Sequence, residues 1–391
     1  MHVVDDLISA FRKHFHTPPF LFSSPGRINL IGEHTDYNNG LVLPAAIDKR
    51  IYLAIGKRSD QEIHLYSMDY QDSYVSSLSG ISLSGKLWPD YLLGVIDQVQ
   101  RSGAELMGVN IVFGGDIPQG AGLSSSAAIE CAVAYGLNYV FNLGYSSLEI
   151  ARIGQAAENN FVGVKCGIMD QFASVFGKKN NLIRLDCETG EYRYIPFDLL
   201  DYSLVLFDTQ IKHSLAFSAY NKRRQECEHG VELIQKYRPA VRSLRQATME
   251  MLKEYVYEKD EVVYRRCSYV VSEIQRLKEA CNDLLVKDFY RFGQRMYETH
   301  DGLRDLYEVS CSELDFLVDQ AKLHPEVLGA RMMGGGFGGC TINLIKTEAV
   351  DRVSSELMKA YQEVNKKELK VYRIQIEEGT QLLSEPNEYK K

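Results

Sequence analysis

The chain is 391 residues long, 45% hydrophobic and 25% charged, with a formal net charge of −8. That length exceeds the ~250–300 residues at which a single core stops growing, so two domains are expected. The charge disfavours nucleic acid and anionic membrane as partners, and apolar runs such as 41–47 fall far short of the ~18 residues a membrane span needs. Asp5 and Asp6 stand where a targeting leader would be basic and then apolar, so a cytoplasmic location is expected. The eight cysteines are scattered, with no CxxC pair and no zinc-finger spacing to histidine, which argues against a disulfide framework or structural zinc. The densest basic run, Lys222-Arg223-Arg224, is bordered by Glu226 and Glu228 and reads as a solvated helix face.

In chain order, residues 3–15 carry apolar side chains at helical spacing, and Thr17-Pro18-Pro19 breaks the pattern. Ile51, Leu53 and Ile55 alternate as in a half-buried strand. From Val109 the pattern is strand, Gly-rich turn over 114–122, then a helix with Ala127, Ala128, Ala132, Val133 and Leu137 on its apolar side. Ser146 and Glu149 have capping-box spacing and open a further helix. Residues 203–208 read as a buried strand, and 221–319 as largely helical. A second Gly-rich turn, 334–339, leads into a strand over 340–345. The mixture lacks a regular βαβ rhythm, which predicts an α+β class, and the polar turn at 178–181 divides the chain into 1–180 and 181–391.

The first Gly-rich turn, Gly120-Ala121-Gly122-Leu123-Ser124-Ser125-Ser126, passes from a strand into a helix through small residues. Such a turn exposes backbone N–H groups beside the positive end of a helix, an arrangement suited to polyphosphate. The Walker lysine is absent, so this is no P-loop NTPase. Taken alone, the segment reads equally well as a plain turn with Ser124 as an N-cap.

Upstream, Ser24-Pro25-Gly26-Arg27-Ile28-Asn29-Leu30-Ile31-Gly32-Glu33-His34-Thr35-Asp36-Tyr37-Asn38 gathers acceptors and donors suited to sugar hydroxyls. This string resembles the signature of the galactokinase family, within the superfamily of homoserine, mevalonate and phosphomevalonate kinases. The 120–126 loop and the run 331–339 follow in that superfamily's order. The resemblance implies a two-domain kinase fold, a ribosomal-protein-S5-like first domain and a ferredoxin-like second, with the site in the cleft between them. It further implies ATP on Gly120 to Ser126, with Ser67 and Trp88 near the nucleotide, and Tyr91 beside Trp88 on the adenine side. Sugar contacts would come from Glu33, His34, Thr35, Asp36, Gly167 and Tyr220, the last at the end of the run 213–220.

Within Cys166-Gly167-Ile168-Met169-Asp170-Gln171-Phe172, one carboxylate sits among apolar neighbours. The resemblance makes Asp170 the base for the C1 hydroxyl of galactose and Arg27 its partner cation. Ser126 and Glu158 match the family's Mg²⁺ positions, and oxygen ligands suit that ion. The expected partners are small molecules only, on a monomer. A kinase for N-acetylgalactosamine or arabinose, and a non-catalytic sugar and ATP sensor on the same fold, share these motifs.

Overall fold

The computed structural model describes residues 2–211 and 216–386, so residues 213–215 of the run before Tyr220 lie outside the described residues. The first helix, His2–Phe15, buries Leu7 and Phe11 against Leu21, Ala54 and Val112 of the sheet behind it. That six-stranded sheet runs in the order Gln381–Ser384, Phe20–Asn29, Pro44–Lys57, Val109–Gly115, Glu62–Ser67, Asp72–Ser77. Its neighbours pair antiparallel except for Glu62–Ser67 on Val109–Gly115, which is parallel. In Pro44–Lys57 the predicted alternation is visible: Ile51, Leu53 and Ile55 face the main core, while Ala54 faces the first helix.

On the main-core face lies the helix Ser125–Phe141, buried nearly all round and flanked by Trp88–Arg101 and Ser147–Ala156. Its central position explains why its sequence lacks a polar stripe. The capping box of the next helix is formed, with Ser146 N donating to Glu149 Oε2 at 2.8 Å and Glu149 N donating to Ser146 Oγ at 3.3 Å. After Ala156 the helix widens into one π turn, Ala157–Val162.

A second, four-stranded antiparallel sheet has the order Val327–Met332, Cys340–Lys346, Tyr202–Asp208, Lys370–Ile374. The helices Phe289–Asp305, Ser312–Lys322 and Val350–Asn365 pack on it through Tyr297, Val318, Val353 and Tyr361. The sequence division at residue 180 does not capture two crossings. The hairpin Asn181–Asp186 and Tyr192–Pro196 adds to Leu41–Val42, and the strand Gln381–Ser384, which no sequence signal announces, returns to pair with Phe20–Asn29. Four residues whose side chains are only half-buried are too short and too mixed in character to stand out as a strand.

Candidate active site

Two chain segments 143 residues apart form the centre of the site. The pairing register of Phe20–Asn29 shifts between Pro25 and Arg27, and Asp170 lies in the first turn of the helix Met169–Phe176. Arg27 Nε donates to Asp170 Oδ1 at 2.6 Å and Nη2 to Oδ2 at 2.8 Å, a two-pronged pair, while Nη1 donates to the Gly122 carbonyl at 2.5 Å. Arg27 is 4% exposed. Burial works to lower its pKa and is outweighed by Asp170, Glu33 and Asp36, so the net movement is upward and the guanidinium stays charged.

Ser124 occupies the N-cap position of Ser125–Phe141 without capping it. Its backbone is left-handed, at φ 56° and ψ 53°, and its hydroxyl donates to Asp170 Oδ2. The plain-turn reading of Ser124 is therefore corrected: a strained conformation aims the hydroxyl at the carboxylate. The first N–H groups of the helix lack intrahelical partners, the feature that lets such an end hold phosphate. Against this loop lies the second glycine turn. A Cβ on Gly334, whose φ is +83°, would sit 3.2 Å from the Gly122 carbonyl oxygen.

Beside Asp170 lies a cavity of about 110 Å³ whose walls include Arg27, Glu33, His34, Asp36, Cys166 and Tyr220. Glu33 is held by second-half groups as much as by its own loop. Its Oε2 accepts from Asn29 Nδ2 and Arg331 Nη2, both at 2.7 Å, and its Oε1 accepts from Gly334 N at 2.8 Å. His34 has φ 61°; its Nδ1 lies 2.8 Å from the Tyr37 hydroxyl, and its buried Nε2 has no hydrogen-bond partner. Burial and then the Arg223 charge push its pKa down to about 3, which leaves a neutral imidazole. Tyr220 places its ring 5.3 Å from that of His34.

Thr35, expected among the sugar contacts, has its hydroxyl engaged by its own loop. Its hydroxyl donates to Gly32 O at 3.0 Å and Leu41 O at 2.6 Å, closing the loop on itself away from the cavity. Gly167 is needed for Asp36 to fit: a Cβ there would stand 2.1 Å from Asp36 Oδ2.

Burial, and then Asp170, push the Asp36 carboxyl up to about 7. Below about pH 4 this group is protonated in folded and unfolded chains alike and its burial is uncharged. As pH rises the unfolded chain ionises first, so stability falls until the folded carboxyl ionises too, near 7. Asp36→Asn is expected to raise Tm at about pH 8, with a gain that shrinks towards zero near pH 4 in thermal scans. A gain independent of pH contradicts this.

On the other side of Asp170, Ser126 Oγ donates to Glu158 Oε1 at 3.2 Å. Gln171 Nε2 donates to Glu158 Oε2 at 2.8 Å and to Glu130 Oε2 at 2.9 Å, and Cys166 Sγ donates to Glu158 Oε2 at 3.4 Å. Burial, then Asp170, raise the Glu158 pKa to about 7. Among the described residues no group of three or more His, Cys, Asp or Glu can hold a metal by itself. One hydroxyl and one carboxylate make a hard-oxygen pair that fits Mg²⁺, an ion that takes its other ligands from phosphate and water. The π turn brings Glu158 to this position, a frequent use of that irregularity.

The galactokinase galactose-binding signature matches residues 9–57, the GHMP kinases N terminal domain matches 90–178, and the GHMP kinases C terminal domain matches 270–363. A galactokinase of Roseiflexus sp. is 38% identical over 375 residues, covering 96% of this chain and 96% of its own. One from Thermotoga neapolitana is 42% identical over 358 residues, covering 92% and 98%. The crystal structure of Lactococcus lactis galactokinase complexed with galactose superposes at TM-score 0.94 and 36% identity, over 97% of this chain and all of that one. The chain belongs to the galactokinase family. Methanococcus jannaschii mevalonate kinase, at 20% identity and TM-score 0.62, shares the fold alone.

The nucleotide side that the galactokinase resemblance assigns is built less tightly. Trp88 Nε1 donates to Asp72 Oδ2 at 3.2 Å, and its ring stacks on Tyr70 at 6.4 Å and leans on Phe113 at 5.7 Å. Ser67 is fully buried and its Oγ accepts from Tyr70 N at 3.3 Å, so it shapes the turn that carries Tyr70. Tyr91 is half-buried against the main core. Sequence reasoning missed Tyr70, Asn29, Tyr37, Tyr307 and the role of Arg331. The one available signal was Arg331 itself, a charge at the start of the third motif.

Proposed function

We propose that this galactokinase-family chain transfers the γ-phosphoryl group of ATP to the C1 hydroxyl of α-D-galactose, giving galactose 1-phosphate and ADP. The observation that carries the reading is the Arg27–Asp170 pair facing, on one side, a small cavity lined by Glu33, His34, Asp36 and Tyr220 and, on the other, a helix start. Glu33, His34, Asp36 and Tyr220 would hold the sugar, with Gly167 keeping room for Asp36.

Asp170 has both oxygens fixed by Arg27 and Ser124, so its remaining lone pair is aimed rather than free to turn. It would accept the proton as the C1 oxygen bonds to phosphorus and the bond from phosphorus to the ADP oxygen breaks. Arg27 and the loop N–H groups would face the charge spread over the transferring group. Gly120 to Ser126 would line the phosphates, with the Trp88 and Tyr70 rings on the base side. Ser126 and Glu158 would hold Mg²⁺, which when bound supplies charge neutralisation between the phosphate oxygens.

The described residues hold no helix long and apolar enough to cross a membrane, and we place the protein in the cytoplasm as a monomer. Domains over 1–180 and 181–391, joined by the two crossings, are part of the same proposal. A panel of galactose, N-acetylgalactosamine, arabinose and glucose with Mg²⁺ and ATP, scored by ADP release, tests substrate and class together. Fastest turnover on galactose is expected. Galactose binding without ADP release would favour a sensor, and faster turnover on another sugar would reassign the substrate.

A further inference from the structure

A row of side chains leads from the second half of the chain to the sugar cavity. Cys227 Sγ lies 3.3 Å from the Tyr307 hydroxyl, which lies 2.7 Å from the Tyr37 hydroxyl, which lies 2.8 Å from His34 Nδ1. The row ends on His34 Nε2, buried, without a partner, on a residue that lines the cavity. Tyr307 is fully buried and is fixed by Arg223, whose Nε donates to the Tyr307 carbonyl at 2.7 Å.

Each hydroxyl in such a row donates once and accepts once, so the row can run in only two directions. If His34 Nδ1–H donated, the row would end with Tyr307 donating to the Cys227 sulfur, a weak acceptor that the Asn38 and Cys267 side chains share with it. It would also point a bare Nε2 lone pair into a wall where the Gly335 main chain favours a ring proton. The opposite direction ends every proton of the row on an oxygen or nitrogen and leaves Nε2–H as its one open donor.

We infer that Tyr37 and Tyr307 are positioning residues that fix the His34 tautomer, so that Nε2–H stands ready to donate to an acceptor oxygen of the sugar. This rests on the sugar reading of the cavity, but the tautomer itself exists without sugar. The thiol proton of Cys227 goes to Tyr307, the Tyr307 hydroxyl to Tyr37, and the Tyr37 hydroxyl to His34 Nδ1.

The test uses histidine-selective ¹⁵N labelling of the full chain, with His34 assigned by its loss in His34→Gln. Without sugar, His34 is expected to show a protonated Nε2 and a bare Nδ1; the opposite pattern overturns the inference. Tyr37→Phe and Tyr307→Phe keep both rings, so folding should survive. They are expected to raise the galactose KM by roughly three- to tenfold with kcat changed less than about twofold. Cys227→Ala should shift the same KM, and Cys227→Ser, which keeps a donor, should restore it. Among deoxygalactoses, the analogue lacking the hydroxyl that His34 meets should no longer distinguish Tyr37→Phe from the parent. At that position fluorine, which accepts but cannot donate, should be tolerated better than hydrogen. An unchanged KM in both Phe variants overturns the inference. The expected tautomer with no response to added galactose would instead count against the sugar reading.

Discussion

Asp170→Asn is expected to lower kcat by at least about 100-fold, the usual worth of a positioned general base, while the KM values for galactose and ATP change only a few-fold. Asn keeps the shape and one acceptor oxygen, so one bond from Arg27 survives. Its amide, however, faces a guanidinium N–H or the Ser124 hydroxyl, and the negative charge that balances buried Arg27 is gone. The loss therefore has two parts: no proton acceptor for the sugar hydroxyl, and an Arg27 freed from the geometry in which it meets the transferring group. A melting curve separates a misfolded variant from an inactive one. Retention of more than about 10% of kcat, a barrier change under ~1.4 kcal/mol, would mean that the proton leaves by another route.

The largest stability effect is expected at Arg331. This fully buried side chain donates to Leu30 O at 2.8 Å, Met332 O at 2.6 Å, Asn29 O, and Glu33 Oε2 at 2.7 Å. It thus ties the strand Val327–Met332 to the loop that carries Glu33, His34 and Asp36. Arg331→Leu is shorter, removes the ion pair that Glu33 makes with this side chain and leaves buried carbonyls unpaired. A cost of about 3–5 kcal/mol follows from breaking a buried charge pair, measurable as a shift in the urea midpoint. Galactose affinity should fall with it, because Arg331 holds the Glu33 side chain that in turn accepts from Gly334 N. A midpoint within about 0.5 kcal/mol of the parent would show that Glu33 is stabilised by something other than Arg331.

What the sequence reveals is local. The helix at 3–15, the alternating strand at 51–55, the capping box at Ser146 and the glycine turns follow from spacing, and the structure contains them. The resemblance added the fold and the kinase class, and it named Arg27 and Asp170, whose meeting across 143 positions no spacing rule encodes. Arg331 appeared in a motif, yet nothing in a strand with nearly every residue buried announces that its charge is satisfied 298 positions away. Thr35 shows a related limit: a threonine inside a polar signature does not announce that the loop folds back and claims its hydroxyl. Ser124 was legible as a loop residue, while its left-handed backbone and its bond to Asp170 were not.

The central claim is that Asp170 faces the C1 hydroxyl of galactose across from the phosphate loop. Its most direct test is the structure of the product made from galactose and ATP, read by phosphorus–proton and phosphorus–carbon couplings in NMR. The account predicts a single phosphate on the anomeric oxygen, in the α configuration, with ADP formed in equal amount. Phosphate on any other hydroxyl, or ADP released without a phosphorylated sugar, would contradict it.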